Sequence, residues 1–373
     1  MRKWMVTLWF LVAGFGLTSL SPAAPGIKGQ LAVDPATGVA LTEFEVNPET
    51  QDPSVLITTD DLARWEEELS NWGRWGPDDG RGTLNLITPE KTLEASRLIS
   101  EGRPVSLQIF AGDVNFAPAA DSWRHTESWH WMTSIDPETG EAQGALDAVR
   151  FGLHDGVVSH MDALCHYWGG EASPSQRNPG DRPITYNGYP FELTPRGCTS
   201  LGIDEQGPGD MTRGVLFDIP LLRGVDYLPP STPIFVEDLE AWEEFAGVRI
   251  GEGDVMILRT GRWALREAEG PWNFNLGGAG LHASTLPWLH ERGVALLVSD
   301  ARAGVVPSGV EGSNVPIHQM TQVVMGLPLV DNGWTEDMAE TARELERWEF
   351  ATVWKLLHIP GGTASPFNAL AIF

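Results

Sequence analysis

Four residues with metal-binding or acid–base chemistry fall within seven positions in SHMDALCHYW: His160, Asp162, Cys165 and His166. A fifth, His154, stands just upstream in FGLHDGVV, so three of the chain's nine histidines gather in one short stretch beside an acid. Imidazole nitrogen and carboxylate oxygen are the ligands that zinc, manganese and iron(II) accept, and incomplete protein coordination leaves room for a reactive water. A histidine near such a centre but outside it can carry protons, because imidazole titrates near neutral pH. The competing reading is a set of unrelated hydrogen-bonded polar residues.

Gly152 and Gly156 flank His154 and Asp155, which marks a loop entering or leaving a strand. If the next segment is extended, His160 and Asp162 project to one side. If a helix then begins, Asp162 and His166 share a face, and one segment aims all three at a single point. Apolar runs at Val215–Phe217, Val255–Leu258 and Val294–Val298 predict short buried strands. They alternate with helical patterns at Val236–Phe245 and Ala283–Arg292. Thr88-Pro89-Glu90 predicts an N-cap with proline at the first helical position, and a helix running to about Glu101 before Gly102. The expected class is α/β or mixed α+β. No internal repeat or clear linker divides residues 59–373, which are expected to form one domain.

Within that frame, HDGVVSHMDALCH resembles the HxGTHxDxPxH signature of the metal-dependent cyclase family, which includes arylformamidases and isatin hydrolase. NWGRWGPDDGRGTLNLITPE (71–90) resembles the family's opening segment, and GDVMILRTGR (253–262) its central strand. HQMTQVVMGLPLVD (318–331) and GGTASPFNALAI (361–372) resemble closing motifs of its larger bacterial branch. The resemblance implies a swivelling β/β/α fold, commonly dimeric, with a divalent metal, Zn²⁺ or Mn²⁺. It implies His160 and Asp162 as ligands, with His154, His318 and Asp331 completing or supporting the site, and His166 as the proton carrier. It further implies hydrolysis of an amide or cyclic amide; a lactone or ester is the rival substrate, and a non-catalytic ligand-binding protein the rival class. The signature spaces its first two histidines four apart, whereas His154 and His160 are six apart, as if Val157 and Val158 were added. If those valines bulge outward, His154 still reaches the site. Leu164 replaces the signature's proline, and Asp331 stands where relatives carry the longer glutamate.

Other residues allow double readings. His125 and His130 lie among Trp123, Trp129 and Trp131, which could line a pocket for an aromatic substrate or simply pack a core or dimer contact. Asp300 ends a predicted strand, where α/β sites often form or a turn is capped. Gly277–Gly280 lacks the following Lys-Ser/Thr of a phosphate loop. The acidic run Glu336–Glu349 reads as a solvated helix face. Cys165 and Cys198 are the only cysteines, and a domain this large has no need of a disulfide, so two buried free thiols are expected, with pairing left open.

A net charge of −26 over 373 residues repels phosphate backbones and anionic surfaces, which excludes nucleic acid as the expected partner in favour of a small molecule. Residues 25–58 are rich in Pro, Gly, Thr and acids, and are expected to form an extended arm or linker. Before them, Arg2 and Lys3, an apolar run from Trp4 to Leu17 and the small residues Ser21–Ala24 follow the order of a secretory signal peptide. The run is shorter than the roughly 20 residues that span a bilayer, so cleavage is expected rather than stable membrane insertion, with a periplasmic or secreted product. Mass spectrometry of the protein from its native host should therefore find a chain starting near Ala24 or Pro25; an intact Met1 in soluble protein would contradict it.

Overall fold

The continuous apolar runs form adjacent parallel strands at the centre of one large sheet. In this computed structural model the described residues are 57–109, 129–169 and 183–373, less positions 133, 137, 142–143, 151, 155, 157, 271, 273, 275–276 and 311, plus two strands at 30–33 and 40–43. The nine strands of the main sheet are β1 (Pro104–Ser106), β2 (His160–Asp162), β3 (Met211–Asp218), β4 (Val255–Arg259), β5 (Leu296–Ser299), β6 (Leu329–Asp331), β7 (Glu349–Lys355), β8 (Ala364–Pro366) and β9 (Asn368–Ile372). Their order across the sheet is β8-β2-β6-β5-β4-β3-β7-β9-β1. Strands β6, β5, β4 and β3 are mutually parallel, and the strands on both flanks pair antiparallel. Every residue of β4, β5 and β6 is buried, which explains why these strands lack polar alternation.

Two helices, α1 (Thr59–Glu68) and α2 (Pro89–Ser96), precede the first strand of the sheet. Along the crossovers lie α3 (Val236–Ala246), α4 (Arg262–Glu269), α5 (Leu286–Glu291), α6 (Pro316–Gln319) and α7 (Glu336–Leu345). The fold is a mixed α/β domain. The three apolar runs and both helical patterns fall on β3, β4, β5, α3 and α5, as expected. Thr88 caps α2 by accepting from the Lys91 amide. That helix stops five residues earlier than expected, because Arg97, Leu98 and Ile99 donate three residues back rather than four, tightening the chain into turns.

The acidic run forms an amphipathic helix, with Asp337, Glu340, Glu344 and Glu346 exposed, as expected of a solvated face, while α7 buries Met338, Ala339 and Ala342 on its other side; Glu336 is the exception and binds Arg259 at 2.7 Å. Arg259 also holds the fully buried Asp218 at 2.8 Å, so Glu336 belongs to an internal ion network. The 25–58 segment contains an antiparallel strand pair, Gln30–Val33 with Ala40–Glu43. Among the described residues no helix is long and apolar enough to cross a membrane. The proposed leader, His125 and Trp123 lie outside the described residues, as do the side chains of Trp129, His130 and Trp131. Asp300 caps a turn, accepting from the amides of Thr260, Gly261 and Arg262 at 2.8–3.2 Å.

Cys165 and Cys198 are not free thiols but form a disulfide, with Cα atoms 6.5 Å apart. The 33-residue excursion between them returns because the antiparallel pair Leu193–Thr194 with Gly197–Cys198 turns the chain back. The Cys198 amide then donates to Gly361 O. Closing a loop of that length limits the unfolded chain, so replacing both cysteines with serine should lower the unfolding free energy by about 2–4 kcal/mol in denaturant titrations. Thiol titration of the unreduced, unfolded protein should find no free thiol; finding two would contradict the bond.

Candidate functional site

Strand β2 carries two of the clustered residues, and its neighbours decide which others they meet. His160 and Asp162, two apart on a strand, point to one face, while Met161 is fully buried between them. On the β6 side Asp331 lies directly opposite His160; on the β8 side Ala364 lies opposite Asp162. Opposed residues of an antiparallel pair share a face, so sheet register alone brings Asp331 to the His160 side.

The rest of the cluster comes from loops and one helix. His154 Nδ1 lies 3.3 Å from Asp162 Oδ1, and its Nε2 lies 3.0 Å from Thr363 Oγ1 in the closing motif. After β2 the chain turns rather than entering a helix, with the His166 amide donating to Ala163 O, yet His166 Nε2 still lies 3.9 Å from Asp162 Oδ2. The His166 and His154 rings stack at 3.9 Å. His318, on α6, lies 3.2 Å from Asp331 Oδ2 and 4.0 Å from Asp162 Oδ2. The four other expected ligand residues and His166 thus gather around the Asp162 carboxylate. Two sets of potential donors overlap at Asp162: His154, His160 and Asp162, and Asp162, His318 and Asp331.

The two-residue enlargement does not carry His154 away from the site. Val158 is fully buried rather than bulging outward, and Val157 lies outside the described residues. The shorter Asp331 still meets His318.

Gln322 was not singled out from the sequence. It lies four residues after His318, and its Nε2 donates to Asp162 Oδ2 at 3.0 Å. The i, i+4 spacing was the available signal, but it applies only if the helix continues, and here it does so as a π-helical segment, Met320–Met325. The opening motif holds carbonyls along and just beyond that segment: Asn71 Nδ2 donates to Met325 O at 2.8 Å, Trp72 Nε1 to Val323 O at 2.7 Å, and the Thr83 amide to Gly326 O at 2.8 Å. Gly82 packs so closely there that a Cβ would sit 1.9 Å from Gly326 O. Tyr167 was also missed; its ring lies 5.1 Å from that of His318.

The polarity of the site is unusual for a buried place. His160 Nδ1 lies 2.7 Å from Val158 O, and a carbonyl can only accept, so Nδ1 carries a proton. In the neutral ring Nε2 is then a lone pair, facing Asp162 Oδ1 across 3.6 Å. Both Asp162 Oδ1 and Asp331 Oδ1 are buried without a hydrogen-bond partner. Burial pushes the His160 imidazole down, against the pull of Asp162, which favours the neutral ring. Burial likewise pushes His166 down, opposed by Asp162. Burial raises the Asp162 carboxyl, but His166, His154 and His160 outweigh it and hold the acid well below its usual range. His318 does the same for Asp331. Two buried acceptors facing one another call for a cation between them, and this His/Asp donor set fits a divalent metal.

A parallel-centred sheet with a His/Asp donor cluster at its antiparallel flank defines the class of protein. A family model described as a putative cyclase matches residues 97–303, more than half the chain, and the protein belongs to that family. His318 and Asp331 lie beyond the matched span. A crystal structure described as a novel cyclase is 29% identical with a TM-score of 0.69, covering 83% of this chain and 99% of that one. Isatin hydrolase A from Ralstonia solanacearum is 18% identical with a TM-score of 0.49, covering 72% and 91%. An isatin hydrolase bound to the product analogue thioisatinate is 16% identical at 0.46, covering 77% and 99%. No curated protein matches the chain.

Because Asp162 belongs to both donor sets, Asp162→Asn should strip bound zinc from dialysed protein almost completely, as read by elemental analysis. Asp331→Asn should weaken zinc in chelator competition but lose less, since it touches one set. Full zinc occupancy in Asp162→Asn would exclude the centre.

Proposed function

We propose that the protein is an exported, metal-dependent hydrolase that opens the C–N bond of an amide or cyclic amide, using a water activated at the His154/His160/Asp162/His318/Asp331 centre. The observation that carries this reading is the convergence of His154 Nδ1 at 3.3 Å and His160 Nε2 at 3.6 Å on the buried Asp162 Oδ1, an oxygen that makes no hydrogen bond. The two donor sets that share Asp162 support a divalent cation there, with Zn²⁺ or Mn²⁺ the ions these ligands suit. Such a metal polarises a carbonyl and brings the pKa of water toward neutrality.

The chain's own residues divide the remaining work. His160 and Asp162 are fixed by the sheet, His160 further by its bond to Val158 O, so their ligand atoms are held in place before anything binds. Gln322 takes one lone pair of Asp162 Oδ2 and orients the carboxylate. His166 makes no hydrogen bond to Asp162 at 3.9 Å, and its side chain is 26% exposed where that of His160 is 5%. That position lets it accept the water's proton and return it to the leaving nitrogen, while His154 supports its ring from behind. Beside His318 lies a small cavity of about 10 Å³ lined by Leu281, Val305, Val306 and Arg302, room for a water rather than for a substrate.

The sequence features that favoured a non-catalytic binding protein were the enlarged His154 loop and Asp331. Both residues reach the cluster, so neither feature argues against a working centre. The test is a hydrolysis screen of metal-loaded protein over aryl formamides, isatin-like lactams and lactones. Turnover of lactones alone would move the reaction from C–N to C–O bonds, and turnover of none would favour a binding protein. On the best substrate His166→Ala should keep the metal and the fold yet lose roughly 10²- to 10⁴-fold in kcat, the range of a lost proton-transfer group. Loss of metal would make His166 a ligand instead, and unchanged kcat would remove it from the reaction.

A further inference from the structure

We infer that Arg262 and Asn332 form a clamp whose role is to seat the enlarged loop so that His154 reaches the centre; this rests on the metal reading above. Five residues separate His154 from His160. A longer loop has more conformations, and its first histidine is placed only if the intervening backbone is tied down. The ties are specific. Arg262 Nη2 donates to Gly156 O at 2.7 Å, and Arg262 Nη1 donates to Asn332 Oδ1. Asn332 Nδ2 donates in turn to Val158 O at 3.1 Å, the same carbonyl that orients His160. A closed ring of hydrogen bonds therefore runs from one side of the enlargement to the other, passing through two side chains far away in sequence.

Both members are themselves rigidly placed. Arg262 is 3% exposed, its guanidinium lies 4.5 Å from the Trp263 ring centroid and 4.7 Å from that of Phe274, and its own amide is fixed by Asp300 at 3.2 Å. Asn332 directly follows Asp331 and adopts a left-handed backbone, φ 60°, a conformation asparagine tolerates better than most residues. Its amide donates to Ala301 O at 3.0 Å and its carbonyl accepts from Ser159 Oγ at 2.6 Å. One residue thus joins the strand end that presents Asp331 to the loop that presents His154. A guanidinium suits this task because it offers two donors in a fixed plane, which a lysine cannot.

The test is a double-mutant cycle read by zinc affinity. Arg262→Met removes both donors at similar volume, and Asn332→Gly removes the side chain while keeping the left-handed backbone. Each should weaken Zn²⁺ in chelator competition by about 10- to 100-fold, the usual cost of disturbing the support of a metal ligand. Each should also change the visible absorption of the Co²⁺ derivative in the way His154→Ala does. Added to His154→Ala, Arg262→Met should weaken zinc no further, because the residue it places is already gone. Should Arg262→Met not fold, Asn332→Gly decides alone. Wild-type affinity and an unchanged Co²⁺ spectrum in the clamp variants, or losses that simply add to that of His154→Ala, would overturn the clamp while leaving the centre standing. Wild-type protein that takes up no zinc would overturn the metal reading itself, and the clamp with it.

Discussion

Everything around the site answers to one cost, the burial of the Asp162 carboxylate. A charge removed from water needs compensation from every side, and a single partner rarely supplies it. Asp162 is 1% exposed; imidazoles of His154, His160, His166 and His318 surround it within 3.3–4.0 Å, and Gln322 donates to one of its oxygens. Those partners come from a loop, a strand, a turn and a helix, so the carboxylate gathers elements that share no local sequence. The second acid, Asp331, faces the same cost and meets it through His318 at 3.2 Å. Two buried acids, each with one carboxylate oxygen left without a hydrogen-bond partner, leave a deficit of positive charge that makes the place a cation site rather than a polar knot in the core.

The topology supplies the compensation at low entropic cost. Had β2 lain at an edge, one flank would be free to shift; instead it is paired with both β6 and β8, and its three residues are locked in register. The same pairing sets Asp331 against His160 and draws Thr363, just before β8, to His154. On the far side, the donors of Asn71, Trp72 and Thr83 engage carbonyls along and just beyond the π-helical segment, and so fix the helix that presents His318 and Gln322. A segment more than 200 residues from the helix in sequence does the work of its cap.

Much of this was legible in the sequence because the responsible signals are local. The buried strands show as apolar runs, Thr88-Pro89 shows as a helix start, and the spacing of His160, Asp162 and His166 shows that they can converge. What stayed hidden depends on contacts between distant segments. Nothing in residues 336–349 reveals that Glu336 turns inward to Arg259, since an acidic residue on an amphipathic helix looks the same whether it meets water or a buried guanidinium. The Cys165–Cys198 bond was missed because domain size bears on whether a disulfide is needed, whereas pairing is decided by where the chain returns. Gln322 was missed because a helix that ends at Gln319 would not have presented it, and the continuation depends on donors supplied from residues 71–83.

The long spacing between His154 and His160 shows how a side chain can be kept at the cluster despite a change in chain length. In a short loop the histidine is placed by the backbone alone. Once residues are added, the backbone no longer determines the position, and side-chain donors must replace the lost constraint. Arg262 and Asn332 satisfy the carbonyls on both sides of the addition, and both are anchored by residues outside the metal cluster, Arg262 through Asp300 and Asn332 through Ala301. This gives a physical role to Asp300, whose position at the end of β5 suggested chemistry. It touches none of the clustered histidines, but by capping the turn into α4 it sets the start of the helix that carries Arg262. The influence of that buried acid on the site runs through backbone placement rather than through its charge.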